Sequence, residues 1–514
     1  MHLPQLEARA NASRGSAMST VTFALRRPAV RPPLTAETAL AAALALFTVL
    51  WFTSSTPAGL HWFVLPVTLC AILIGGDALR WLRGTFGAYD PAGIIGLLGV
   101  YLFFVAPLLH VRWDFWMRYV QPPADWRDWL GAMAILNCVG LVTYRGARAW
   151  VARAPRAFRT VRMLDERRLW VLLPALLVIT AFAQFWVYDR FGGLLGYIRA
   201  YEQPGESFQG LGIVFMLSES FPILALFAFA ALTTRFHKLS SWWVLALVMI
   251  AFFALKILFG GLRGSRSNTV WGLFWAIGII HLWIRPLPRR TLLAGVPLLA
   301  AFMFGYGLYK ADGLDGLTAI LNPARAIEVA TRSGRTLHST LLSDLGRSDV
   351  QAYTLYRVQN TPPSEWGWGR TYLGGLAILI PRSIYPSRPP TKVKEGTDIT
   401  YDRGTYDAGR VSRRVYGLSG EALLNVGLIG VPIVFLLWGL YVGLLRRAYY
   451  GLARYDARRL LLPLWINLAI VMLIGDSDNV VFFTVKNATL PLLVLLLCSR
   501  SVRPQRSPMP IEQV

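Results

Sequence analysis

The side chains best suited to chemistry in this chain are two arginines in a glycine-rich turn. Arg263 and Arg266 lie in the stretch GGLRGSRSN, residues 260–268, directly before an apolar run. Glycine lets a backbone approach a bound group closely, and the start of the next helix adds a positive dipole. Guanidinium groups bind phosphate oxygens through paired hydrogen bonds. The turn therefore predicts an anion site, with two solvated arginines in an ordinary turn as the alternative.

Three charged residues fall inside apolar runs, where charge is rare and usually functional. They are Glu219, Lys256 and Lys486. We predict that they line one polar cavity to which three helices contribute. The alternative for the lysines, above all for Lys256 close to its helix end, is that the ammonium group reaches back to the membrane surface.

The chain carries no P-loop, no HExxH zinc motif and no GxSxG nucleophile elbow. Its six histidines are scattered, and its three cysteines fall in apolar runs without ligand spacing. We therefore predict no metal site and no cofactor. Asp476 and Asp478 have the spacing of a DxD metal motif, but an acidic turn that caps a helix is the favoured interpretation.

The composition places these residues in a membrane protein. Of 514 residues, 55% are hydrophobic and only 16% are charged. A formal net charge of +24 would suggest nucleic acid in a soluble chain. Here the arginines stand between apolar runs, so they predict membrane topology and not nucleic-acid binding.

Apolar runs predict an all-α polytopic membrane protein with about twelve transmembrane helices, at roughly 20 residues for each crossing. The predicted helix cores are residues 38–51, 60–76, 91–110, 129–144, 169–188, 211–233, 242–259, 269–284, 292–309, 421–445, 460–474 and 480–498.

Basic residues follow every second predicted span, whereas the opposite loops are short, neutral, mixed in sign or acidic. By the positive-inside rule both termini are then cytoplasmic. This predicts tails at 1–37 and 499–514, helices 1–9 within 38–309, a large external loop at 310–419 and helices 10–12 within 420–498. The arginine turn lies on the same external side as the loop.

The polar segment 310–419 is too long for an ordinary connection. Helical spacing predicts a helix at 323–343 along the membrane surface and a second at 349–359, while 389–410 is predicted to be a mobile loop. Where the chain re-enters the membrane, Ser419 is expected to cap a helix with Glu421 in its first turn. The helix dipole favours an acid there, so both a structural and a functional role are open for Glu421.

Three motifs follow one another between residues 260 and 443. They are Gly264-Ser265-Arg266-Ser267, then Gly369-Arg370-Thr371-Tyr372 leading to IPRSIYP at 380–386, then SGEALLNVGLIG at 419–430. In this order they resemble the O-antigen polymerases (Wzy), which are polytopic polymerases of oligosaccharide repeat units. The resemblance covers the layout of the whole chain. Tyr385 stands where the family pattern is expected to have Trp, which leaves the subfamily open.

The resemblance implies a GT-C-like glycosyltransferase at the outer face of the bacterial inner membrane. A growing glycan on undecaprenyl diphosphate would be transferred to a newly flipped, lipid-linked repeat unit, and the lipid diphosphate would be released. The implied partners are the lipid-linked oligosaccharide, the bilayer, a flippase and a chain-length regulator, with no nucleic acid.

With this reaction in view, arginines would stabilise the leaving diphosphate in place of a metal, and a carboxylate or histidine would activate the acceptor hydroxyl. The candidates for the diphosphate are Arg263, Arg266 and Arg382, with Arg370 as a further one. The candidates for the base, in order, are Glu421, Asp349 and His338.

Two other functions fit part of the pattern. An O-antigen ligase would move finished glycan onto a final acceptor. A multi-span transporter or flippase for an anionic or lipid-linked substrate would be expected to show internal repeats and charged or broken helices near the membrane midplane. The chain shows no obvious halves of similar sequence.

Overall fold

The protein is all-α, as its sequence predicts. The structure is a computed structural model that describes residues 36–153, 158, 160–202, 208, 210–263, 266–334, 336–381 and 384–502. About 78% of it is helical. The strands in the described part are β1 (Val161–Leu164) and β2 (Ser499–Val502), which pair antiparallel with Val161 opposite Val502. The sequence analysis predicted neither.

The α-helices follow one another along the chain, separated by turns and by some longer connections. They are α1 (Ala36–Ser55), α2 (Val64–Leu82), α3 (Pro91–Val100), α4 (Ala106–Arg112), α5 (Trp126–Ala152), α6 (Glu166–Arg190), α7 (Gly193–Glu202), α8 (Gly212–Ser218), α9 (Phe221–Arg235), α10 (Trp242–Leu258), α11 (Arg266–Ile279), α12 (Arg289–Thr318), α13 (Pro323–Ser333), α14 (Leu337–Ser339), α15 (Ser348–Gln359), α16 (Arg370–Ala377), α17 (Lys392–Tyr401), α18 (Gly417–Val426), α19 (Gly430–Gly451), α20 (Leu462–Ile474) and α21 (Ser477–Leu497).

Ten stretches of the described chain are helical, long and apolar enough to cross a membrane, which confirms a polytopic membrane protein. They coincide with ten of the predicted spans. The other two predicted spans are present as the shorter apolar helices α10, with 17 residues, and α20, with 13. At 1.5 Å per residue, α20 reaches only about 20 Å, less than the roughly 30 Å of a hydrocarbon core. The orientation across the membrane stays a prediction from the basic loops.

Two apolar clusters hold the helices together. The first joins α2, α3, α5, α18, α19 and α20 around Trp438, whose indole stacks on Tyr144 with ring centroids 4.5 Å apart. The second joins α6, α9, α11 and the C-terminal part of α21 around the buried Trp275. Helix α21 contacts α16 and α20 as well as α6 and α8, so it connects the two groups.

The segment 310–419 is largely helical and packs on the apolar helices. Helix α12 continues past the predicted boundary at residue 309, across a kink at Asp312 and Gly313. The predicted helix at 323–343 is too long, because Gly334 takes a left-handed conformation (φ +68°) and ends α13 at Ser333. The second predicted helix, 349–359, is confirmed as α15.

The stretch 389–410, predicted as a mobile loop, contains helix α17. Its first residue, Lys392, is 4% exposed and forms an ion pair with Asp476. The prediction was wrong because the Gly, Asp and Tyr content of the stretch suggested a loop, while the partner that fixes it lies 84 residues further along the chain.

Candidate functional site

The structure brings together the three charges that the sequence places inside apolar runs. Glu219 lies in the two-residue break between α8 and α9, and its Oε2 is 2.5 Å from the Lys486 ammonium of α21. Lys256 Nζ donates to Asn268 Oδ1 at 3.3 Å, and Asn268 Nδ2 in turn donates to Glu219. Glu219, Lys256 and Lys486 are 3%, 1% and 8% exposed, so they form a packed buried cluster and do not line an open cavity.

Arg263 of the predicted anion turn belongs to the same group. Its guanidinium pairs with Glu219 Oε1 and lies 3.8 Å from the centre of the Phe215 ring. We call these residues the Glu219 cluster: Glu219, Lys256, Arg263, Asn268 and Lys486. Three positive side chains therefore face one carboxylate. Buried charge is stable only when it is paired, so the imbalance favours a further anion.

The cluster also holds hydrogen-bond donors in excess. Arg263 Nε and the Thr269 hydroxyl are buried with no partner in the described part of the chain. Of the three N–H groups of Lys256, one donates to Asn268. Buried donors without acceptors are uncommon in proteins and call for an explanation. An added anion would supply the missing acceptors.

Two glycines make room for these side chains. A Cβ on Gly260, whose φ is +139°, would lie 2.5 Å from Asn268 Nδ2 and 2.6 Å from Glu219 Cδ. A Cβ on Gly272 would lie 2.6 Å from Lys256 Cε. All three distances are far below normal contact. The sequence analysis assigned the turn glycines to ligand approach, whereas here Gly260 admits a carboxylate of the protein itself.

Arg266, the second arginine of the turn, is the first residue of α11. It pairs with Asp344 at 2.6 Å, and both side chains are partly exposed. Asp344 belongs to the π-helical turn Thr340–Leu345 within the long polar segment. The arginine turn and the long segment, which the sequence places on one side of the membrane, are thus in direct contact.

The other two arginines proposed for a diphosphate have different surroundings. Arg370 begins α16, is 50% exposed at its side chain and pairs with Glu395 of α17, Nε to Oε1 at 3.1 Å. Arg382 lies outside the described residues. Of the arginines in the turn, Arg263 thus pairs with the buried Glu219, whereas Arg266 pairs with Asp344 of the long segment.

Glu421, the first candidate base, is buried in a network of neutral donors. Its Oε1 accepts from the Thr371 hydroxyl at 2.7 Å and the Ser477 hydroxyl at 2.5 Å, and its Oε2 accepts from the Ser477 N–H at 2.6 Å. Asn425 Nδ2 donates to Thr371 Oγ1 at 2.7 Å. We call these four residues the Glu421 network. It ties α16, α18 and α21 together.

The cap of α18 differs from the predicted one. The Ser419 hydroxyl donates to Asn137 Oδ1 of α5 at 2.8 Å, and the helix begins two residues earlier, at Gly417. Asp476 Oδ1 accepts from the Tyr416 and Gly417 N–H groups, both at 2.9 Å. Asp476 thus caps a helix, as expected for an acidic turn, but it caps α18 and not its own α21. Burial raises the pKa of Asp476 above its ordinary value, even beside Lys392.

The remaining base candidates lie apart from each other. Asp349 of α15 is 1% exposed; its Oδ1 is 3.9 Å from His110 Nε2, and its Oδ2 has no partner in the described chain. His338 is exposed and stacks on Trp113 with ring centroids 4.2 Å apart. The sequence analysis missed His110, because a single histidine in an apolar run shows no spacing pattern.

One group of possible metal ligands occurs among the described residues, although the sequence predicted no metal site. It consists of His61, Asp125 and Asp128, whose ligand atoms lie within 4.8 Å of one another. Trp62 already donates to Asp128, and Arg127 pairs with Asp125 at 3.4 Å. Both carboxylates therefore have partners from the protein itself.

Helix α21 links the two polar groups. Ser477, its first residue, belongs to the Glu421 network, and Lys486 belongs to the Glu219 cluster. At 1.5 Å per residue these two positions are about 14 Å apart along the helix.

Comparison of the chain with protein-family models, with curated proteins and with solved structures gave no match.

Proposed function

We propose that the protein polymerises oligosaccharide repeat units linked to undecaprenyl diphosphate, by glycosyl transfer with release of the lipid diphosphate. The observation that carries the proposal is the charge balance of the Glu219 cluster, where three cations face one carboxylate. A leaving diphosphate carries at least two negative charges, and basic side chains can stabilise it without a metal.

The surroundings of the cluster support the same reaction. Arg266 stands three residues after Arg263 and reaches Asp344 in the long polar segment. A lipid-linked donor held at the arginine turn would then lie beside the long segment, which carries the second of the three motifs that resemble the O-antigen polymerases. We propose the outer face of a bacterial inner membrane as the location, with both termini in the cytoplasm.

Three side chains are candidates for the base that activates the acceptor hydroxyl. Glu421 and Asp349 are buried, so an acceptor hydroxyl reaches them only after the long segment shifts. His338 is exposed and needs no such movement. Whether Glu421 or Asp349 acts as the base before His338 therefore depends on whether the long segment opens during turnover.

Arg266→Ala in a strain that makes the polymer tests the proposal. We expect loss of long-chain glycan with single-unit glycan still attached, because removing one group that stabilises the leaving charge costs about 100-fold or more in rate. Arg235→Ala is the matched control, since Arg235 is an exposed arginine paired with Glu166 on another surface. Long-chain glycan at normal protein level would refute the role of Arg266 at the diphosphate, and complete loss of attached glycan would indicate the ligase reaction.

A transporter or flippase for an anionic or lipid-linked substrate is the second candidate, and one observation favours it. Glu219 lies where the helical run is interrupted between α8 and α9, and charged groups at broken helices are typical of transporters. Turnover of lipid-linked oligosaccharide by purified protein in detergent, where no compartments exist, would exclude pure transport.

A further inference from the structure

Glu219 is itself the anion of the site in this structure. Its two carboxylate oxygens accept hydrogen bonds from Arg263, Lys486 and Asn268, and Asn268 connects them to Lys256. No other carboxylate pairs with these three cations in the described part of the chain. A single carboxylate cannot balance three cations, so an anion of higher charge would bind the same groups more strongly.

Glu219 is also placed where it could move. It belongs to the short break between two helices, and a helix interior would hold it more firmly. Gly260 opposite has no side chain, which leaves the carboxylate room. Arg263 is the most accessible cation of the cluster, with 19% of its side chain exposed against 9% for Lys486. An incoming anion would therefore meet Arg263 first.

We propose that Glu219 is a built-in counter-ion that the diphosphate of the substrate displaces from Arg263 and Lys486, so that the diphosphate also reaches Lys256. The inference rests on the proposed function and adds the two lysines to the diphosphate site. The unpartnered Arg263 Nε and Thr269 hydroxyl then donate to phosphate oxygens. Without substrate, Glu219 keeps the buried cations paired and the helices together.

This exchange makes the site selective for charge. An entering group must replace a carboxylate that already pairs with two cations, so it must supply more negative charge than Glu219 does. A diphosphate meets this requirement, whereas a group with a single negative charge gains little. The counter-ion lowers the affinity for every anion, because breaking its pairs is part of each binding event.

The test uses full-length protein purified in detergent, with inorganic diphosphate as the probe and calorimetry or thermal shift as the measurement. Glu219→Gln keeps the shape of the side chain and removes its charge. We expect it to bind inorganic diphosphate about tenfold more tightly than the wild type, since the internal competitor is weakened. Glu166→Gln, which breaks the exposed pair with Arg235, should leave the affinity unchanged.

A poorly folded Glu219→Gln protein is still informative, because added diphosphate should then restore its melting temperature by more than it raises that of the wild type. Lys486→Met in the Glu219→Gln background should weaken binding again. Equal or weaker binding of diphosphate by Glu219→Gln, or absence of this rescue, overturns the inference. If binding tightens while a strain that lacks the protein still makes long-chain polymer, the anion site stands and the polymerase proposal fails.

Discussion

Two buried glutamates that contact helix α21 at different positions have opposite surroundings. Glu421 accepts hydrogen bonds from two hydroxyls and one backbone N–H, all of them neutral. Glu219 is paired with Arg263 and Lys486, and Asn268 connects it to Lys256. The first group has as many acceptors as its donors require, while the second has more charge and more donors than its carboxylate can satisfy.

The different surroundings suit the two glutamates to different roles, one structural and one in ligand binding. Neutral donors satisfy the Glu421 carboxylate within the protein, so the Glu421 network is suited to joining three helices. An excess of buried cations is costly in the free protein and becomes favourable when an anion enters. Of the two glutamates, Glu219 thus belongs to the site that would receive substrate.

The largest effect is expected from Glu421→Ala. The substitution leaves the Thr371 hydroxyl and two Ser477 donors without their acceptor, at about 1–3 kcal/mol for each unsatisfied group. Little folded protein should remain, as measured by size-exclusion chromatography and melting temperature in detergent. Glu421→Gln keeps one acceptor oxygen and should be intermediate. A Glu421→Ala protein that melts like the wild type but makes no polymer would reverse the comparison and make Glu421 the base.

A smaller, local effect is expected from Gly272→Ala. The new Cβ would lie 2.6 Å from Lys256 Cε, so the flexible lysine must shift away from Asn268. We expect about tenfold less long-chain polymer, or weaker diphosphate binding, at a stability cost of about 1–3 kcal/mol. Gly295→Ala in α12 is the matched control, since a Cβ there meets nothing within 4 Å. Equal polymer from both variants would remove Lys256 from the site.

The smallest effect is expected from Asp344→Asn, which weakens the pair with Arg266 at 2.6 Å. Because both partners are partly exposed, the loss of stability should be under about 1 kcal/mol. Arg266 remains available for an anion, so polymer length should stay near that of the wild type. Loss of polymer at unchanged melting temperature would instead place Asp344 in the reaction.

Apolar periodicity was enough to locate the long helices, because a bilayer demands long uninterrupted runs of apolar residues. Charge inside those runs was enough to single out Glu219, Lys256 and Lys486. Local patterns were weaker guides in the polar segment. Ser419 looked like a cap, yet Asp476 does the capping, and the helix predicted from 323 stops early at Gly334.

The sequence by itself determined that this is a polytopic membrane protein and that a few charges inside it require an explanation. Only the tertiary structure decided which carboxylate each cation faces. Asn268 and Ser477 stood beside the arginines and aspartates that drew the interpretation of their segments, and only their contacts with Glu219 and Glu421 made them part of the two polar groups. The physical reason is that a membrane-spanning helix is encoded by residues that are neighbours in the sequence. The partner of a buried charge, in contrast, comes from whichever distant helix packs against it.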